Sequence, residues 1–490
     1  MGIAVFTVGS GEPVGQPVNG CVLMSLRDHP QALVVAVADP WDQQLVDQLI
    51  QTLGQLPELA AVAGKDLSAW LAAVRDKSKA SSCDSAASFP VPGNEHADDE
   101  VIRFVGAALE VAVGQGSSDV HFETDRQGLS VKHRLDGVLR AGSRIESVQR
   151  AEEVISRIKV LAKLDITERR IPQDGRFRHV LPSGQGMDLR VSIMPSVHGE
   201  DAVLRLLDRA QLRNASASAS LDALQFDEVS VTRIRELAQL PHGMLLITGP
   251  TGSGKTTTVY GILSELNSGE EKIVTIEDPV EYELPGVLQI PVNERKGLTF
   301  AKGLRSILRH DPDRILVGEI RDAETAEIAV QSALTGHQVF TTVHANSLFD
   351  VTGRFRHFGL DMFGFVAALN GVVVQRLVRG LCSHCGSVRP ATEREQQWMA
   401  RHGFTDVVHV PAPIGCAQCS GTGYRRRFVL AEVHEIDDGV RDLITSQQAL
   451  SALRAHVVAS GVASLGRMSA IAVKDGRTSL EEIRRVVGLA

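Results

Sequence analysis

No run of this sequence approaches the ~20 consecutive apolar residues a helix needs to cross a bilayer. Residues 1–24 carry no basic start ahead of an apolar run, so no secretory signal is expected. Aromatic residues make up 4%, and acids outnumber lysine and arginine 59 to 51, for a net charge of −8. That balance argues against a chain-wide basic field or base-stacking platforms, so nucleic acid is not an expected partner. Cysteine is sparse, six in 490 residues, which excludes a disulfide framework as the main source of stability. No tandem repeat of 20–50 residues appears. A cytoplasmic chain is expected, one that reaches a membrane only through a partner.

What is present is a large apolar fraction, 43%, with 22% charged residues, enough for about three globular units at roughly 100–200 residues each. Residues 1–75 read as a small α/β module: a strand at 33–38, a helix from Asp42 to about Leu53, another strand-like run and a short helix ending near Arg75, after an irregular stretch over 1–30. Residues 76–97 are polar, low in complexity and end in Pro90, Pro92 and Gly93, a linker composition. A second unit spans 98–209, with helices over 98–114 and 148–164 and strands over 118–123, 129–135, 187–193 and 201–207. A Ser/Ala-rich linker, 210–221, leads to the third unit, 222–490.

In that third unit an apolar strand, Met244–Thr248, runs directly into Gly249, Pro250, Thr251, Gly252, Ser253, Gly254, Lys255, Thr256 and Thr257, and a helical pattern continues to Leu266. Strand, G-x4-G-K-T loop and helix are together the setting a phosphate-binding loop requires. Glycines let backbone N–H groups curl around phosphates, and the helix N-terminus adds positive potential. Lys255 is expected at the β/γ-phosphates of ATP and the Thr256 hydroxyl on Mg²⁺. Two further strands end in acids: 272–276 in Glu277, Asp278 and Glu281, and 314–318 in Glu319. Acids at the carboxyl ends of such strands sit where Mg²⁺ and the attacking water are held, which favours hydrolysis over passive binding. The alternative, most open for Glu277, is a solvated turn acid. His337 and His344 flank the strand 339–343, where either could sense the γ-phosphate or pack as a polar residue.

Four of the six cysteines form two pairs, Cys382-x-x-Cys385 and Cys416-x-x-Cys419, separated by 30 residues. Four thiolates complete a tetrahedral Zn²⁺ shell and leave no position for water, so a closed structural site over 380–425 is expected; redox thiols are the alternative. Cys21 and Cys83 have no spacing partner.

Gly249–Thr256, Glu277-Asp-Pro-Val-Glu281, Val317-Gly-Glu-Ile-Arg-Asp322 and Thr335–His344 resemble, in order and spacing, the Walker A, Asp box, Walker B and His box of the bacterial type II/type IV secretion ATPases. Ser118–Glu123, Arg134–Val138 and Ile171–Arg176 look like that family's N2 domain, and Gln375–Arg379, Gly421–Tyr424 and Thr478–Glu482 like its C-terminal signatures. The resemblance covers about 98–490. It implies an α/β chain with a RecA-like motor, a PAS-like N2 domain and a small N-terminal module. It further implies a homohexamer in which ATP turnover rocks N2 against the motor and drives an inner-membrane platform protein, building a type IV pilus or a type II secretion pseudopilus. The runner-up is a DNA-uptake or other nucleic-acid-translocating motor of the same fold. A cytoplasmic adaptor would dock on the N-terminal module. By the same resemblance Glu281 positions the hydrolytic water, Glu319 supports the metal, and Arg190, Arg205, Arg305, Arg309 and Arg321 neutralise phosphoryl charge, local salt bridges being the alternative for each arginine. The stretch Arg354-Phe-Arg-His-Phe-Gly359 departs from the family's Arg-Leu-Ile-Asp-Met-Gly.

Overall fold

The computed structural model describes residues 95–181, 186–207 and 220–489, together with four backbone strands nearer the N-terminus. Two units divide the chain, Met1–Asn94 and Glu95–Ala490. In the first, β1 (Gly11–Pro13), β2 (Val22–Leu26), β3 (His29–Val37) and β4 (Glu58–Ala61) form one sheet in that order. The expected strand at 33–38 overlaps β3 over 33–37, but the supposedly irregular first thirty residues contain β1 and β2. The expected helices at 42–53 and near Arg75, and most of the 76–97 linker, lie outside the described residues, as does 208–219 of the second linker.

The second unit opens with a helix, Glu95–Gln115, that starts three residues before the expected boundary. It packs with the helix Val148–Ala162 on an antiparallel sheet ordered β7-β6-β5-β10-β9-β8. These strands are β5 (Asp119–Asp125), β6 (Gly128–Leu135), β7 (Val138–Ile145), β8 (Gln173–Val180), β9 (Gly186–Ser196) and β10 (Gly199–Leu207). The two strands that periodicity did not reveal, β7 and β8, are the two sheet edges. Edge strands bury little on either face, so their apolar alternation is weak. Val120, Phe122, Leu189, Ile193 and Ile158 centre this core.

The remainder of this unit is built on a seven-stranded sheet ordered β13-β12-β14-β15-β11-β16-β19. Its strands are β11 (Gly243–Thr248), β12 (Ile273–Glu277), β13 (Leu288–Pro291), β14 (Arg314–Val317), β15 (Gln338–Val343), β16 (Leu369–Leu381) and β19 (Tyr424–Glu435). All neighbours are parallel except β16 and β19. Every residue of β11 is buried, as a strand covered on both faces requires. Met244 and Leu246 belong to one core, Leu245 and Ile247 to the core on the opposite face. The parallel order brings the carboxyl ends of β11, β12, β14 and β15 to one rim, where ligands bind in open α/β sheets.

Candidate functional site

At that rim β11 passes into the loop that feeds the helix Lys255–Leu266. Gly252 and Gly254 take φ of 76° and 88°, a region that Cβ-bearing residues avoid, and the loop can therefore turn its N–H groups inward. The helices beginning at Glu228, Phe300, Ala323 and Leu348 are each capped by a side chain, from Asp227, Thr299, Asp322 and Ser347. The helix at Lys255 has Gly254 as its N-cap and no side-chain cap. Its first N–H groups are left for an anion. The Ser253 hydroxyl is buried without a partner, and Gln375 on β16 donates to the Ser253 carbonyl at 2.8 Å, bracing the loop from behind. These unsatisfied donors and the open space around Gly252 fit a polyphosphate. Thr256 and Thr257 are exposed at the same helix start.

Lys255 Nζ donates to the carbonyls of Gly249 (2.9 Å) and Pro250 (3.1 Å) and lies 3.4 Å from His344 Nδ1. His344 Nε2 is 3.2 Å from Glu319, and Glu319 in turn meets Arg321 at 2.8 Å. Arg321 also reaches Asp278 at 3.1 Å. One chain of charge therefore joins the phosphate loop to the ends of β12, β14 and β15. Burial lowers the pKa of Lys255 while Glu319 works the other way; burial and then the Lys255 charge lower that of His344. His337 stands at the opposite end of β15, its Nδ1 3.0 Å from the Ser332 carbonyl. Six residues of strand, about 20 Å, separate it from this chain's own phosphate loop, so of the two histidines only His344 reaches Lys255.

The acids after β12 divide. Glu281 is part-exposed, with Arg190 of β9 at 4.0 Å. Glu277 is 3% exposed, and both its oxygens are engaged, by Tyr260, by Thr275 at 2.6 Å and by Gln289 at 3.2 Å. That is an anchored carboxylate rather than an open ligand. Of the five arginines, Arg190 and Arg321 come to the acids of the site. Arg205 pairs with Asp119 at 2.9 Å, Arg305 with Glu324 at 2.5 Å, and Arg309 donates to the Arg305 carbonyl at 2.9 Å. Sequence reasoning did not single out Tyr260 or Gln289, and met Gln375 only within the C-terminal signature Gln375–Arg379; their partners, Glu277 for the first two and the Ser253 carbonyl for Gln375, lie far from them along the chain.

The cysteines lie on the excursion between β16 and β19, which also carries a two-stranded ribbon, β17 (Ser387–Pro390) with β18 (His409–Ala412), and the helix Glu393–Arg401. The four sulfurs of Cys382, Cys385, Cys416 and Cys419 lie within 4.8 Å of one another. Cys419 Sγ is 3.7 Å from both Cys385 and Cys416. A tetrahedron with Zn–S bonds of about 2.3 Å has edges of about 3.8 Å, whereas a disulfide needs about 2.05 Å. The N–H groups of Cys416 (3.1 Å) and Gly423 (3.2 Å) point at Cys419. Burial opposes ionisation of that thiol, but these donors, together with the Cys385 and Cys416 thiols, outweigh it and bring its pKa to about 6, while burial pushes the Cys385 thiol up to about 12. The donor set and its spacing fit a structural zinc. This knuckle touches the 95–207 unit: Arg140 donates to the Ser420 carbonyl at 2.9 Å, and Arg427 pairs with Asp136 at 3.1 Å.

The family model described as type II/IV secretion system protein matches residues 94–485. The type II secretion system protein E of Aeromonas hydrophila is 45% identical over 80% of this chain and 76% of its own length. A putative type II secretion system protein E of Escherichia coli is 39% identical over 94% of both chains. The fold is shared with the Legionella pneumophila ATPase DotB (TM-score 0.55, 21% identity, 82% of this chain and 97% of that one) and with the pilus retraction motor PilT (0.50, 24%, 78% and 96%). With four-fifths of its length matched by the family model and relatives this similar, the chain belongs to the type II/IV secretion system protein family.

Proposed function

We propose that this protein is the Mg²⁺-dependent ATP hydrolase that powers a type II secretion machine, working as a homohexamer in the cytoplasm against an inner-membrane platform protein. The observation that carries the reading is the uncapped, glycine-shaped helix start at Gly254 facing a linked set of acids and cations, in a chain whose relatives are named type II secretion system protein E.

Lys255 and the N–H groups of 252–257 hold the phosphates. Thr256 and Glu319 would hold Mg²⁺, which would supply Lewis-acid screening of phosphate charge there. Glu281 orients the attacking water. In the present geometry Lys255 rests on the carbonyls of its own loop, an arrangement that an incoming phosphate would replace. Arg190 sits on the 95–207 unit and Glu281 on the motor, so movement between the two changes the charge beside the water-orienting carboxylate. That is a direct route for coupling hydrolysis to domain motion, and the motion would drive pseudopilus extension. Arg205, Arg305 and Arg309, held in local pairs here, are candidates for contact with a neighbouring subunit's nucleotide. The N-terminal strands β1–β4 are the candidate dock for a cytoplasmic adaptor.

The test is complementation. A strain lacking this gene should lose export of its type II substrates, wild-type protein should restore it, and Lys255→Ala should not. Export restored in full by Lys255→Ala would sink the proposal.

A further inference from the structure

Glu277 is a costly residue that the mechanism above leaves unused. A carboxylate this buried is tolerated only when donors replace its lost water. Three do so, and one of them, Tyr260, belongs to the phosphate-loop helix itself. Tyr260 lies five residues beyond Lys255, about one and a half helical turns. It is fully buried, with its ring edge-on to Tyr282 at 4.6 Å. Its hydroxyl donates to Glu277 and accepts from the backbone N–H of Glu281 and from Gln289 Nε2, both at 3.4 Å. Gln289 also donates to Glu277 and to the Tyr282 carbonyl, at 3.2 Å each. The segment 277–282 is thus tied at its start, at Glu281 and at Tyr282 to a side chain from the helix that holds the phosphates.

We propose that Tyr260 and Glu277 are a positioning pair for ATP hydrolysis, fixing the Glu281 backbone relative to the phosphate loop so that the Glu281 carboxylate meets the attacking water in register with the γ-phosphate. The inference rests on the water-orienting role of Glu281 given above. Neither residue touches the reacting atoms; they set a distance between two elements that both do. Small displacements of a catalytic group lower turnover steeply without weakening ground-state binding, so the signature is a fall in kcat at near-constant KM.

The experiment uses the full chain with Mg-ATP under conditions that permit oligomerisation. Tyr260→Phe keeps the ring and removes only the hydroxyl. We expect kcat to fall by about 10-fold or more and KM for ATP to stay within about two-fold. The same substitution in a Glu281→Gln background should change turnover by less than about two-fold, because the group being positioned is already gone. Should Tyr260→Phe not fold, Gln289→Met reads the same coupling from the other side of the carboxylate. An unchanged kcat in Tyr260→Phe, or an equal fold-loss with and without the Glu281 carboxylate, overturns the positioning pair and leaves the role of Glu281 standing. Full-speed turnover by Glu281→Gln alone overturns that role first, and the pair's function with it.

Discussion

The phosphate loop and the cysteine knuckle are both ligand sites at strand ends of one sheet, and they are built in opposite ways. In the loop the donors are backbone N–H groups, left unsatisfied by glycines and by a helix start with no side-chain cap. In the knuckle the ligands are four side chains, and nearby backbone N–H groups are spent on the sulfurs. An open set of donors suits a ligand that must arrive, react and leave. A closed shell suits one that stays and holds the chain. The contrast teaches that exchange and permanence are set by where hydrogen-bonding capacity is left over, more than by the chemistry of either ligand.

Each half of the contrast can be broken separately. Lys255→Ala removes the loop's ammonium, which donates to the Gly249 and Pro250 carbonyls. ATP turnover should fall by about 10³-fold, measured as phosphate release, with the thermal midpoint within a few degrees of wild type. Glu319→Gln keeps the shape of the acid after β14 and removes its charge. We expect about 10²-fold slower turnover with nucleotide binding retained by fluorescence titration. On the knuckle side, Cys416→Ser should lower zinc content from one per chain toward zero by metal analysis. The melting midpoint should drop by about 5 °C or more, because metal binding there is folding energy. An unchanged midpoint after verified metal loss would remove the knuckle from the structural column.

Smaller effects sharpen the contrast at the loop. Arg190→Ala should slow hydrolysis by about three- to ten-fold and reduce its dependence on assembly, read by comparing turnover across protein concentrations. The pH response is smaller still. Burial and Lys255 lower the pKa of His344 below its ordinary value, so the unfolded imidazole takes up a proton before the folded one does. Stability contributed by neutral His344 is therefore present above the ordinary histidine range and declines as pH falls through and below it. Thermal midpoints of wild type and His344→Gln should converge between pH 7.5 and 5.5. A widening gap would contradict the assignment.

Much of this was legible in one dimension. The apolar strand before Gly249, the G-x4-G-K-T loop and the Cys-x-x-Cys pairs are local patterns whose geometry follows from adjacent residues, and the structure brings each set together. The strand 339–343 was equally legible, but its direction was not. Only the parallel pairing of β11 with β15 decides that His344 joins Lys255 and that His337 is at the far rim. The edge strands β7 and β8 carry little apolar periodicity because neither buries a face: no residue of β7 is buried, and in β8 only Phe177 is.

The sequence by itself pointed to a phosphate loop and to two Cys-x-x-Cys pairs, because each is made from residues close along the chain, with spacing fixed by covalent reach; bringing the two pairs together across 30 residues took the fold. Tertiary structure alone decided where each acid stands and what surrounds it. Glu277 and Glu281 are four residues apart and chemically identical. One is buried under Tyr260, Thr275 and Gln289; the other stands part-exposed beside Arg190 of another sheet. A carboxylate's role depends on its solvation and on the charges around it, and those neighbours are supplied by elements that only folding brings near.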